Sequence, residues 1–186
     1  RIETLFSGFP RMVRDLSHEL CKQVMVEIES GDIEIDREMI EVVRDPLVHL
    51  IRNAVDHGIE LPDVRRQCGK RAEGVVSVKA IHQSGHVAIE ISDDGAGIPL
   101  DRVRQKAVAK GLLTAERAAE LSDAESTALI FLPGLSTASN VTSVSGRGVG
   151  MDVVKTNVER LGGTVEVETK LGAGTTFRLK LPLTLA

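Results

Sequence analysis

Aromatic side chains are almost missing from this chain: four Phe, no Trp and no Tyr stand among its 186 residues. That scarcity excludes the base-stacking platforms of single-strand binders, which need several aromatic faces. Basic excess is missing too. Lys and Arg are dispersed and the formal net charge is −4, so no nucleic-acid partner is expected. Cysteine is reduced to Cys21 and Cys68, in no CxxC or Cys/His ligand pattern. Two reduced thiols in a cytoplasmic protein fit that spacing better than a disulfide or a zinc site. No apolar run reaches bilayer-spanning length and RIETLFSGFP is not a signal peptide, so no membrane insertion is expected. The first residue is Arg rather than Met, as in a piece cut from a longer chain.

What is present is ordinary for a soluble domain: 42% hydrophobic and 27% charged residues, in a length that can close a real core. Residues 10–22 read as helix. Residues 23–29 (QVMVEIE) alternate like a strand and lead to a turn at SGD. A short strand and a long helix ending at Gly58 follow, with Pro46 marking a kink or a late start. Residues 61–70 (LPDVRRQCGK) suggest a short helix. Two strands, 75–81 and 86–92, flank a turn at Ser84-Gly85. A helix is predicted over 101–111 and continues through 114–132. Residues 134–148, rich in Ser, Thr, Gly and Asn, read as a loop. A last helix ends at Gly162-Gly163, and a second hairpin joins 164–170 to 175–183. In that last strand Phe177, Leu179 and Leu181 share one face; Thr176, Arg178 and Lys180 share the other. The pattern predicts an α+β two-layer sandwich: a mixed, mostly antiparallel sheet with helices on one face.

Within the long helix, DPLVHLIRNAVDHGIE (45–60) carries an unusual stripe. Leu47, Leu50, Ile51, Ala54 and Val55 make the apolar face. His49, Asn53, Asp56 and His57 line up on the other side, with Arg52 at the edge. A merely solvated face draws on Glu, Lys and Gln, which favour helix; His, Asn and Asp do not. Three glycine clusters follow: SDDGAGI (92–98), SGRGVGMDVV (145–154) and LGAGTTF (171–177). Each reads as a plain turn. Gly146, Gly148 and Gly150 also lead into a helix N-terminus, where free N–H groups and the dipole favour an anion. Neither a Rossmann fingerprint nor a Walker A loop is present. Asp93 stands at a strand end beside Gly95 and Gly97, where a buried carboxylate needs a donor such as an amino group. Asp94 reads as its solvated neighbour.

The order DPLVHLIRNAVDHGIE, DDGAGI, FLPGLSTA, SGRGVGMDVV, GAGTTF resembles the N-box and glycine boxes of the histidine-kinase/Hsp90/gyrase/MutL ATPase superfamily. Within it the wording is similar to the chemotaxis histidine kinases of the CheA branch, over residues 22–184. The resemblance implies a Bergerat-type ATP-binding fold at residues 21–186, preceded at 1–20 by the tail of a dimerisation segment. It implies ATP and Mg²⁺ as cofactors, with Asn53 as the metal ligand. It places His49 near the γ-phosphate, and His57, with Arg52, at the phosphates. Asp93 carries over as the adenine-reading carboxylate, supported by Gly95, Gly97 and Thr176. Gly146, Arg147, Gly148 and Gly150 would close over the phosphates, with 132–148 as a lid, and Arg102 is a looser candidate there. The implied activity is an ATP:protein-histidine phosphotransferase serving a His on a separate phosphotransfer domain, with a response regulator downstream. The full-length protein would dimerise and engage a CheW-like adaptor and receptors. His at position 49, where many relatives are acidic, fits that branch.

DLSHEL (15–20) imitates the phosphoacceptor box of ordinary sensor kinases, but CKQ follows it and a strand begins at once, so His18 reads as a surface residue. Other classes stay open: an ATP-gated machine, whose N-box would need a Glu (the nearest is Glu60), a binding module without turnover, or an anti-sigma-factor kinase.

Overall fold

Period-two alternation does build a sheet. The computed structural model describes residues 1–135 and 150–183. Strands β1 (Val24–Glu29), β2 (Gly74–Gln83), β3 (His86–Asp93), β4 (Thr164–Lys170) and β5 (Gly174–Pro182) lie in the order β1-β2-β3-β5-β4. Only the β1/β2 pair is parallel. A parallel pair demands a long crossover. Here it is α3 (Arg37–Asn53), a π turn (Ala54–Gly58) and α4 (Pro62–Gln67).

One sheet face is apolar: Val76, Val78, Val87, Ile89, Ile91, Leu179 and Leu181 are at most 1% exposed. Against it lie Met39, Val43, Leu47 and Leu50 of α3, and Val154 and Val158 of α8 (Met151–Arg160). Burying side chains of this size contributes about 1.5–3 kcal/mol each. The opposite face is charged. Arg178 Nε donates to Glu90 Oε1 (2.7 Å), with Glu166 and Lys180 continuing the row. The expected arrangement, helices on one face of a mixed sheet, is the one observed.

Three local features differ from the sequence reading. The short strand near residue 33 does not form; Ile33 and Ile35 are buried, and the Ile33 carbonyl accepts from Ile2 N–H (3.0 Å). Helix α3 runs through Pro46, which is buried inside it; the irregularity comes later, as the π turn. The expected single helix over 114–132 is broken into α6 (Ala115–Glu120), α7 (Asp123–Ala128) and a 3₁₀ turn (Leu129–Phe131), after α5 (Leu100–Ala109). Ser122 stops it by capping α7, accepting from Glu125 N while Glu125 Oε1 accepts from Ser122 N. Residues 1–20 form α1 (Ile2–Phe6) and α2 (Phe9–Glu19), whose Ile2, Leu5, Phe6, Phe9 and Val13 share the core of the sheet. Packing therefore shows no boundary at residue 20.

Candidate functional site

The C-terminal end of α3 meets the C-terminal end of β3. At that crossing Asp93 Oδ1 accepts from Gly95 N (2.9 Å), and the backbone N–H of Thr175 adds a second bond. Gly58 leaves room for this carboxylate: a Cβ there would lie 2.9 Å from Asp93 Oδ2. Ala96 N donates to Gly58 O (2.9 Å), and a Cβ on Gly95 would collide with that same oxygen. The turn between β4 and β5 closes the other side. Ile98 N donates to Thr169 Oγ1 (2.8 Å), Gly172 N donates to Ala96 O, and Gly97, at φ +78°, lies against Lys170 O. Three segments far apart in sequence thus lock around one carboxylate. Burial pushes its pKa up to about 6 from 3.8; the bonds from Gly95 and Thr175 oppose this, and Asp94 and Glu60 reinforce it.

The polar stripe continues from there along α3. Asn53 Nδ2 lies 3.3 Å from His49 Nε2 and 3.5 Å from Met151 Sδ. The second contact ties the stripe to the first residue of α8, whose N-cap is Gly150. Asn53 Oδ1 accepts no hydrogen bond among the described residues, which leaves an amide oxygen suited to a hard cation. No group of three or more Asp, Glu, His or Cys able to hold a metal exists among those residues. A Mg²⁺ held at Asn53 would therefore complete its shell with phosphate oxygens and water. His49 is half-buried; desolvation, then the charges of Arg52 and His57, lower its pKa and keep the imidazole neutral.

The other expected residues are placed as follows. Thr176 is on the wrong face: its hydroxyl lies 2.9 Å from Ser92 Oγ on the side of Arg178, away from Asp93. Strand alternation puts Thr175 at the site instead, 7% exposed, with its hydroxyl 2.9 Å from Thr169 Oγ1. Arg52 lines a groove of about 370 Å³ with Gly8 and with Arg11, Asp15 and Glu19 of α2. His57 is exposed, 3.6 Å from Asp56 Oδ2, and Arg102 is exposed on α5. Gly146, Arg147 and Gly148 lie outside the described residues, as do residues 136–148 of the expected lid. His18 is an exposed residue of α2.

Asp94 is not merely solvated. Its Oδ2 accepts from Arg65 Nη2 (3.1 Å) and its Oδ1 from Val75 N (2.9 Å). Glu60, the rival catalytic carboxylate, is bound by Arg65 Nη1 (2.9 Å) and Lys70 Nζ (2.7 Å). Burial works against its charge, yet those two cations hold its pKa below the usual carboxylate range. Lys22, just before β1, donates to the carbonyls of Val55 (2.8 Å) and Asp56 (2.6 Å), satisfying the π turn.

Residues 42–185 match the family described as histidine kinase-, DNA gyrase B-, and HSP90-like ATPase. All of the chain is 50% identical to 27% of the chemotaxis protein CheA of Salmonella typhimurium. Over 98% of its length it is also 50% identical to 23% of the sensor histidine kinase CheAY of Helicobacter pylori. The chain thus spans about a quarter of these curated relatives. Among solved structures it resembles full-length ShkA in complex with AMPPNP, at a TM-score of 0.63 and 20% identity, covering all of this chain and 31% of that one. That likeness shows the shared fold.

Proposed function

Because the chain belongs to the histidine kinase-, DNA gyrase B-, and HSP90-like ATPase family, we propose that it is the ATP-binding catalytic domain of a CheA-like protein histidine kinase. It transfers the γ-phosphoryl of ATP to a His on a separate phosphotransfer domain, from which a response regulator is loaded. The whole protein works in the cytoplasm as a dimer with a CheW-like adaptor and receptors, and residues 1–20 lead from its dimerisation segment. One observation carries the reading: Asp93, Gly58, Gly95 and Thr175 interlock at one end of α3, while Asn53, His49 and Met151 meet one turn earlier.

Each residue has a task at these positions. Asp93, half-buried and with its pKa raised by desolvation, accepts from the adenine amino group. Asn53 offers Oδ1 to Mg²⁺ while its amide hydrogens engage His49 and Met151. His49 stays neutral, and its Nε2, now facing the Asn53 amide, accepts a proton from the incoming imidazole when that amide releases it. Bound Mg-ATP supplies the phosphoryl group and a cation that neutralises its developing charge; positioning does the rest. Glu60, tied to Arg65 and Lys70, is in no position to activate water, which disfavours an ATP-hydrolysing machine.

The test uses γ-labelled ATP, Mg²⁺ and a panel of histidine phosphotransfer domains. Acid-labile, base-stable label on a partner is the expected result. Free phosphate with no labelled protein would defeat the kinase reading. Label on the chain itself, lost in His18→Ala, would move the acceptor to α2.

A further inference from the structure

Arg65 stands outside every glycine box, on a helix of six residues, yet it is the largest fully buried side chain among the described residues, at 1% exposure. A guanidinium has five N–H donors, and Arg65 makes five bonds. Nε donates to Arg71 O (2.7 Å). Nη1 donates to Glu60 Oε1 (2.9 Å) and to Asp94 O (3.1 Å). Nη2 donates to Asp94 Oδ2 (3.1 Å) and to Glu73 O (3.4 Å). Asp94 is therefore gripped by carboxylate and carbonyl together, and Lys70 Nζ holds the same carbonyl (3.0 Å) and the next one, Gly95 O (2.8 Å). Asp93 immediately precedes this clamp, and its carboxylate depends on Gly95 N within it. Glu60 fastens the clamp to the chain two residues beyond Gly58. Replacing Arg65, Glu60 and Asp94 together by hydrophobic side chains of similar volume would pack this region at least as well, so stability alone does not account for an ion cluster here.

We propose that Arg65 is a positioning residue for base recognition: through Asp94 it fixes the Asp93–Gly95 backbone and so keeps the Asp93 carboxylate on the edge of the purine. This rests on the reading of Asp93 as the adenine acceptor. A lysine cannot replace the fork, because a single ammonium does not reach both Asp94 and the Arg71 and Glu73 carbonyls.

The experiment compares ADP with IDP, which lacks the exocyclic amino group, by calorimetric titration at pH 8 on wild type, Asp93→Ala, Arg65→Lys and Asp94→Asn, with thermal unfolding of each. Losing one hydrogen bond to a charged group is worth about 10-fold or more. Wild type is expected to prefer ADP by about that factor, and Asp93→Ala to lose the preference. Arg65→Lys and Asp94→Asn are expected to bring the ADP/IDP ratio toward one by weakening ADP selectively. Equal weakening of ADP and IDP, with the ratio kept, would reduce Arg65 to a structural role and overturn the proposal. Should Arg65→Lys fail to fold, Asp94→Asn decides alone, since that side chain is half exposed and its removal leaves Arg65 bonded to Glu60. A wild type that does not distinguish ADP from IDP, or an Asp93→Ala that still does, would instead sink the adenine assignment beneath it.

Discussion

The two ends of the site are built differently. At the Asp93 end, backbone meets backbone: Gly95, Gly97 and Gly174 lie so close to other main-chain segments that none accepts a methyl group, and Gly58 lies against the Asp93 carboxylate. At the Asn53 end, only side chains touch, through contacts of 3.3 and 3.5 Å to His49 and Met151. The first end is fixed by main-chain contacts, the second by two side-chain contacts. Selectivity belongs where atoms are already fixed, because misplaced donors then find no alternative partner. Reaction belongs where groups exchange partners during the cycle.

Substitutions can break this contrast, beginning with the most damaging. Gly95→Ala drives a methyl group into the Gly58 carbonyl and is expected to lower stability by about 3 kcal/mol and to eliminate ADP binding, measured by urea unfolding and titration. Wild-type stability with Ala at 95 would mean the base end is not tightly interlocked. Asp93→Asn should act in the opposite sense on stability. With the folded pKa raised to about 6, the native state binds more protons than the unfolded one between about 4 and 6. The nucleotide-free protein therefore loses stability as pH rises through that window, up to about 3 kcal/mol above it. Asn removes this penalty, so the melting temperature should rise at pH 8 and not at pH 4, while ADP binding is lost. In wild type, ADP affinity should fall as the pH drops below 6. A pH-independent effect of Asp93→Asn would contradict the burial argument.

At the looser end, Asn53→Ala should change stability by less than about 1 kcal/mol. It should leave ADP affinity without Mg²⁺ nearly intact and abolish Mg-dependent phosphotransfer. Loss of metal-free ADP binding would erase the distinction between the ends. The smallest effect separates two neighbours. Thr176→Val should leave ADP affinity within about two-fold, whereas Thr175→Val, which removes the hydroxyl paired with Thr169 Oγ1 next to the Ile98 N–H, should weaken it by up to about ten-fold. The reverse outcome would restore Thr176 to the site.

That pair also shows where reading the sequence falls short. Alternation already assigned Thr176 to the face of Arg178 and Lys180, opposite Phe177, so the signal for Thr175 was present; family likeness pointed to the adjacent threonine. Asp93, Asn53 and His49 were legible because each departs from what its helix or strand would otherwise choose. The capping pair Ser122 and Glu125 was legible too, as Ser-x-x-Glu, and breaks the helix expected over 114–132. Arg65 was not. An Arg on a short polar helix looks solvated, and its partners Glu60, Asp94 and the Glu73 carbonyl surround it only after the β1/β2 crossover has folded.

Local patterning by itself set the order of strands and helices, the apolar faces and the glycines, because each depends on neighbours a few residues away. Which oxygen lies beside which nitrogen was left to the folded chain. Asp93 and Asp94 are identical in type and adjacent in sequence, yet one carboxylate meets only backbone N–H groups and has its pKa raised by desolvation, while the other is gripped by Arg65 and Val75 N. That difference comes from the partners that folding brings within hydrogen-bond distance, at separations of 19 and 29 residues, a distance over which composition and periodicity carry no information.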